Sequence, residues 1–187
     1  MKKIWIIVPA VLVAIFLLFA ACVAGVTLAA KSPAHTGSRN ASGSAVSVLS
    51  TELGRVGVEA FTAPDYKPGT IKHVVLFRYA AEVDDARKEE VIKRFLALKD
   101  QARRNGVPYI REIETGAQTS GEGMAHGFEQ AFVVTFNSEG DRNYYVGTPV
   151  VTDLSHVDGA HAAFKKFVEP FLEKGQDGVL VFDFRPD

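Results

Sequence analysis

Ile71-Lys72-His73-Val74-Val75-Leu76-Phe77-Arg78-Tyr79 is the stretch on which the fold turns. It is short, rich in β-branched and aromatic residues, and reads as a strand. Side chains alternate between the two faces of a strand, yet Val75 and Phe77 on one face and Val74 and Leu76 on the other are all apolar. A strand that is apolar on both faces is buried on both. The same doubling recurs downstream, in Ala131/Val133 against Phe132/Val134 and in Val179/Val181 against Leu180/Phe182. Between these runs, residues 107 to 114 alternate more openly, with Tyr109, Arg111 and Ile113 against Ile110, Glu112 and Glu114. Strands are therefore expected over 71–79, 107–115, 127–137 and 178–185.

Two helices fit between them. Asp84 and Asp85 offer N-caps, and Val91, Phe95, Leu98 and Ala102 recur at helical spacing before Asn105-Gly106 stops the pattern, which predicts a helix over 85–104. Asp158 caps a second helix over 159–173, with Ala160, Phe164, Phe167 and Phe171 on one stripe and Pro170 set to kink it or end it early. Ser138 to Tyr145 suits a short helix. The order is β-α-β-β-α-β, a ferredoxin-like α+β sheet with its helices on one face. Two helices cover one side only, so the uncovered side is expected to meet a second copy of itself, giving a homodimer. The alternative is that residues 46–63 fold back over it.

Upstream, Ile4 to Ala30 is an uncharged apolar run between Lys2-Lys3 and Lys31. It exceeds the roughly 20 residues that span a bilayer. Three readings stay open: a retained signal anchor, a cleaved signal, or a lipoprotein signal, since Leu18-Phe19-Ala20-Ala21-Cys22 has small residues just before its cysteine. Each makes the chain exported or membrane-tethered, with a single N-terminal transmembrane or signal helix over 1–30. Small polar residues and turn formers then predict a flexible linker over 31–70, ahead of a domain over 71–187. Across all 187 residues the formal net charge is −1, which excludes the basic footprint of a dedicated nucleic-acid binder. The single cysteine excludes a disulfide framework.

Five blocks carry a family resemblance. They are Ile71-Lys72-His73-Val74-Val75-Leu76-Phe77-Arg78, Gly127-Phe128-Glu129-Gln130-Ala131-Phe132-Val133-Val134-Thr135-Phe136, Tyr144-Tyr145, Asp158-Gly159-Ala160-His161-Ala162-Ala163-Phe164, and Val179-Leu180-Val181-Phe182-Asp183-Phe184. In this order the chain resembles the stress-responsive A/B barrel (Dabb) domain family of dimeric α+β barrels, over about residues 71–185. The resemblance implies a homodimer with sheets back to back, a small cavity between each sheet and its helices, and no cofactor. Some plant members are polyketide cyclases that use cavity histidines and a tyrosine. Carried over position by position, His73, Tyr145 and His161 are retained. The histidine common on the third strand appears here as Gln130, Gly159 replaces a proline often found before the last histidine block, and an insertion over 146–157 separates Tyr145 from that block.

Such an enzyme needs a base near neutral pKa and a donor for the developing enolate. His73 or His161 is the candidate base and Tyr145 the donor, whereas Gln130 can donate a hydrogen bond but cannot take up a proton. The plain alternative for His73 is a buried histidine satisfied by a neighbouring carboxylate or backbone group. His126 and His156 fall in loops. No metal site is expected: His156 and His161 with Asp153 and Asp158 lack a supporting cysteine or HxH pair. Gly121-Glu122-Gly123 lacks the strand-to-helix context of a dinucleotide loop, and Ser120 and Ser155 lie in no nucleophile elbow. Two functions stay open: a stress-associated module that holds a small apolar ligand or is simply a stable dimer, and a cofactor-free enzyme acting on an enolisable substrate. They differ in whether His73, Tyr145 and His161 converge.

Overall fold

A computed structural model describes residues 37–187. The run Ile4 to Ala30, and with it the expected transmembrane or signal helix, lies outside the described residues. Among those described, no helix is long and apolar enough to cross a membrane. In place of a flexible linker over 31–70, Gly37–Val56 forms helix α1 and Val58–Phe61 a short helix α2. Small polar residues read as tether, but tertiary contacts hold the downstream part. Glu52 accepts the Tyr66 hydroxyl at 2.7 Å and pairs with Lys67, and the Phe61 ring is buried.

The domain continues with β1 (Pro68–Phe77), α3 (Asp85–Gln101), β2 (Arg103–Arg104), β3 (Val107–Pro108), β4 (Glu112–Ala117), β5 (Gln130–Ser138), α4 (Glu139–Val146), α5 (Gly159–Val168) and β6 (Val179–Phe184). The main sheet runs β4-β5-β1-β6 with every pair antiparallel, the ferredoxin-like arrangement. Several boundaries differ from expectation. The helix expected to 104 ends at Gln101, and the strand expected over 107–115 is divided, because Asn105 (φ 51°) and Gly106 (φ 80°) form a two-residue turn joining β2 to β3. Both turn residues have positive φ, which asparagine and glycine tolerate best. The second helix stops at Val168, and Pro170 sits in the single 3₁₀ turn Glu169–Phe171 that follows.

The core lies between one sheet face and the helices. Val75 and Phe77 of β1 and Phe132, Val134 and Phe136 of β5 meet Val91, Phe95 and Leu98 of α3 and Phe164 and Val168 of α5. Phe95 stacks on Phe132 with centroids 3.9 Å apart. The other face carries Val74, Leu76 and Val133 in its middle strands and Leu180, Phe182 and Phe184 on β6, where Phe182 is 60% exposed. Residues 57–67 do not cover it. Their contacts run to α4: the Asn143 amide donates to the Phe61 carbonyl at 2.8 Å, and the Gly140 and Glu139 amides donate to the carbonyls of Tyr66 and Lys67.

Candidate functional site

The structure brings His73, Tyr145 and His161 together on the helix-covered face, each from a different element. His73 sits on β1, opposite Val134 of β5 and Asp183 of β6. Tyr145 comes from α4, whose N-cap Ser138 accepts from the Asp141 amide at 2.9 Å. His161 lies in the first turn of α5, where the Asp158 carboxylate accepts its backbone N–H at 2.7 Å. The His161 ring stacks on the Tyr145 ring (centroids 3.7 Å, 12°), and His73 meets Tyr145 edge-on at 5.7 Å. His73 is 4% exposed, Tyr145 1% and His161 8%.

Each histidine has one ring nitrogen committed. His161 Nδ1 donates to the Tyr145 carbonyl at 2.6 Å, leaving Nε2 to accept. Burial, with help from the nearby Lys165 charge, brings the His161 pKa down to about 3, against a smaller upward pull from that carbonyl. His161 is thus a neutral acceptor at neutral pH. His73 Nδ1 donates to Asp183 Oδ1 at 2.6 Å, and Arg142 of α4 holds the other carboxylate oxygen. Burial works to raise the Asp183 carboxyl, but His73 and Arg142 outweigh it and hold the group below the ordinary carboxylate range. Burial also pushes the Tyr145 phenol above the ordinary tyrosine range, so it stays protonated. Its hydroxyl is fully buried with no hydrogen-bond partner among the described residues. Buried hydroxyls normally have one.

The remaining sequence candidates stand apart. Gln130 lies four residues along β5 from Val134, about 13 Å at strand spacing, and donates to the Thr115 hydroxyl at 2.7 Å. His126 is exposed, and His156 bonds Ser155 and Asp153 in a 3₁₀ turn. Three residues escaped the sequence reading of the site, Asp183 and Arg142 behind His73 and Tyr109 behind His161, whereas Asp158, read from sequence as the helix cap, also stands behind His161. Tyr109 donates its hydroxyl to the second Asp158 oxygen at 2.9 Å while Arg104 lies over the Tyr109 and Tyr144 rings. Asp183 left one signal, a lone carboxylate in an apolar strand, which must find a partner if it is buried. Its opposition to His73 depends on the register of strands more than a hundred residues apart.

Comparison with known proteins gives matches of matching extent. Olivetolic acid cyclase of Cannabis sativa is 25% identical over 116 residues, covering 62% of this chain and 96% of that protein. A crystal structure of an Arabidopsis thaliana protein is 26% identical with a TM-score of 0.49, covering 63% of this chain and 95% of that one. Hydroxynitrile lyase from Passiflora edulis is 22% identical with a TM-score of 0.49, covering 64% and 95%. The model of the Stress responsive A/B Barrel Domain, Dabb, matches residues 71–186, the span that holds all but the first residues of the main sheet together with α3, α4 and α5, and the chain belongs to that family.

Proposed function

We propose that the domain is a homodimeric binding module for a small, largely apolar ligand that presents one oxygen to Tyr145 between His73 and His161. The carrying observation is the Tyr145 hydroxyl, protonated, buried and unpartnered beside two imidazoles. A donor in that condition gains a full hydrogen bond when a ligand oxygen reaches it. The three rings are closed against one another, so a ligand enters by displacing the segment that joins Tyr145 to His161. The exposed apolar residues of β6 supply the dimer face. A place outside the cytoplasm or on the membrane rests on the run Ile4 to Ala30, and a stress role rests on the family alone. Calorimetric titration of the full chain with olivetolic acid, the compound for which the cyclase relative is named, tests the site. Tyr145→Phe should weaken binding at least tenfold with the fold intact; equal affinity in the two proteins would overturn the reading.

A second reading, a cofactor-free enzyme for an enolisable substrate, is favoured by the Asp183 contact. A carboxylate that fixes Nδ1–H of His73 leaves Nε2 as the nitrogen able to take a proton, with Tyr145 as donor to the enolate. Exchange of the α-protons of a small β-diketone in D₂O, followed by NMR, measures that step. Wild type should accelerate exchange and His73→Ala should not, while retaining its circular dichroism spectrum. Equal rates in both would reduce the site to binding.

A further inference from the structure

Asn143 of α4 is buried with both ends of its amide engaged. Its nitrogen donates to the Phe61 carbonyl at 2.8 Å, and its oxygen accepts from Arg142 Nε at 3.0 Å. A carbonyl only accepts and a guanidinium only donates, so both partners demand the same orientation of the amide. Arg142 also donates an Nη to Asp183 Oδ2, and His73 Nδ1 holds Asp183 Oδ1 at 2.6 Å. Hydrogen bonds therefore run without a gap from Phe61, upstream of the family-matched span, through Asn143, Arg142 and Asp183 to His73. Few groups bear on the charge of that imidazole. Asp183 from β6 favours a second proton on it, and Arg142 from α4 opposes one by sharing the same carboxylate. Tyr145 of α4 and His161 of α5 face it uncharged at neutral pH, the Lys165 charge reaches His161, and β5 sets the apolar Val134 opposite.

We propose that Asn143 is a positioning residue through which the docking of residues 57–67 on α4 sets the proton affinity of His73. The docked Phe61 carbonyl fixes the amide, the amide fixes the guanidinium plane at Nε, and the guanidinium so held stays on Asp183. With Phe61 withdrawn, the amide loses its orienting acceptor and Arg142 is free to swing. A guanidinium that leaves Asp183 leaves a carboxylate whose whole charge acts on the imidazole, so His73 takes up a proton at higher pH and keeps it. The chain ahead of β1 thereby regulates whether His73 is free to accept a proton. That consequence for turnover rests on the enolising reading above; the hydrogen-bond chain itself does not.

The full chain in mild detergent, carrying isotope-labelled histidine, is titrated by NMR, with the His73 signal assigned by its loss in His73→Gln. Relative to wild type, Arg142→Met should raise the His73 midpoint by about one pH unit and Asn143→Leu by about half a unit or more. The double variant should match Arg142→Met alone, because Asn143 acts through the guanidinium. Gly140→Ala displaces the same segment without touching Asn143, since its Cβ would come within 1.8 Å of the Ala63 carbonyl oxygen, and should move the midpoint in the same direction. A midpoint unmoved in Arg142→Met, or unmoved in both Asn143→Leu and Gly140→Ala, would overturn the proposal, as would shifts that add in the double variant. Should Asn143→Leu fail to fold, the Gly140→Ala and Arg142→Met midpoints decide. Absence of β-diketone α-proton exchange in wild type would remove the enolising reading, while the His73 midpoints would still decide this one.

Discussion

The two faces of the central sheet are built from the same four strands and end in opposite conditions. On one, Val75, Phe77, Phe132 and Val134 are sealed by α3 and α5 of the same chain. On the other, Leu180, Phe182 and Phe184 stand in the open. Alternation along β1 supplies apolar side chains to both faces with equal generosity. Apolar periodicity therefore states how much burial a strand demands and is silent on what provides it. Helices encoded nearby provide it for one face; the other remains open in a single protomer.

The contrast can be broken on the sealed face first. Phe132→Ala removes the ring stacked on Phe95 and should cost about 3–5 kcal/mol of stability, read from urea denaturation at neutral pH. A loss under about 1 kcal/mol would mean that this face is not the core. Next comes its buried imidazole. The folded His161 pKa is about 3 against an ordinary 6.5, so the unfolded chain takes up a proton first as the pH falls. Stability should be level above about pH 6.5 and decline toward pH 3 with a slope approaching about 1.4 kcal/mol per unit. His161→Gln should flatten that arm, and an unchanged acid slope would contradict the burial of the ring.

Smaller effects sit at the margin and on the open side. Asp183 is held below its ordinary pKa, so its contribution is complete above the unfolded value near 4 and is lost as the pH drops through the folded one. Asp183→Asn should cost about 1–3 kcal/mol at neutral pH, with the two melting curves converging in acid. Phe182→Asp should change the stability of a single protomer by no more than about 0.5 kcal/mol, yet convert a micromolar dimer to monomer in sedimentation. A dimer that survives this change would move the interface off the open face.

The parts of the fold that could be read from sequence were those governed by local period. Val91, Phe95, Leu98 and Ala102, spaced as one helical stripe, are all buried, and the doubled apolar pattern is met in the interior strands β1 and β5. β6 carries the same pattern yet is an edge strand with Val181 and Phe182 exposed on opposite faces, because period alone does not say which strand ends the sheet. Asn105-Gly106 was legible as a break but not as a hairpin, since β2 and β3 contribute only two residues each. Helix α1 was hidden because Gly and Ser are poor helix formers, and the Glu52 contacts that hold its end lie beyond local sequence. At the site, His73, Tyr145 and His161 were found through resemblance. Asp183 and Arg142 were not, because strand register and a helix packed across it bring them to His73, and neither is written in local spacing.

Gly140 shapes how the chain ahead of β1 is attached to the domain. A side chain there would collide with the Ala63 carbonyl, since a Cβ would come within 1.8 Å of its oxygen. The bare glycine lets the chain ahead of β1 be riveted to α4 through the carbonyls of Phe61, Tyr66 and Lys67. That helix also carries Tyr145, so the chain ahead of β1 and the site share one anchorage, and a side chain at position 140 would disturb both.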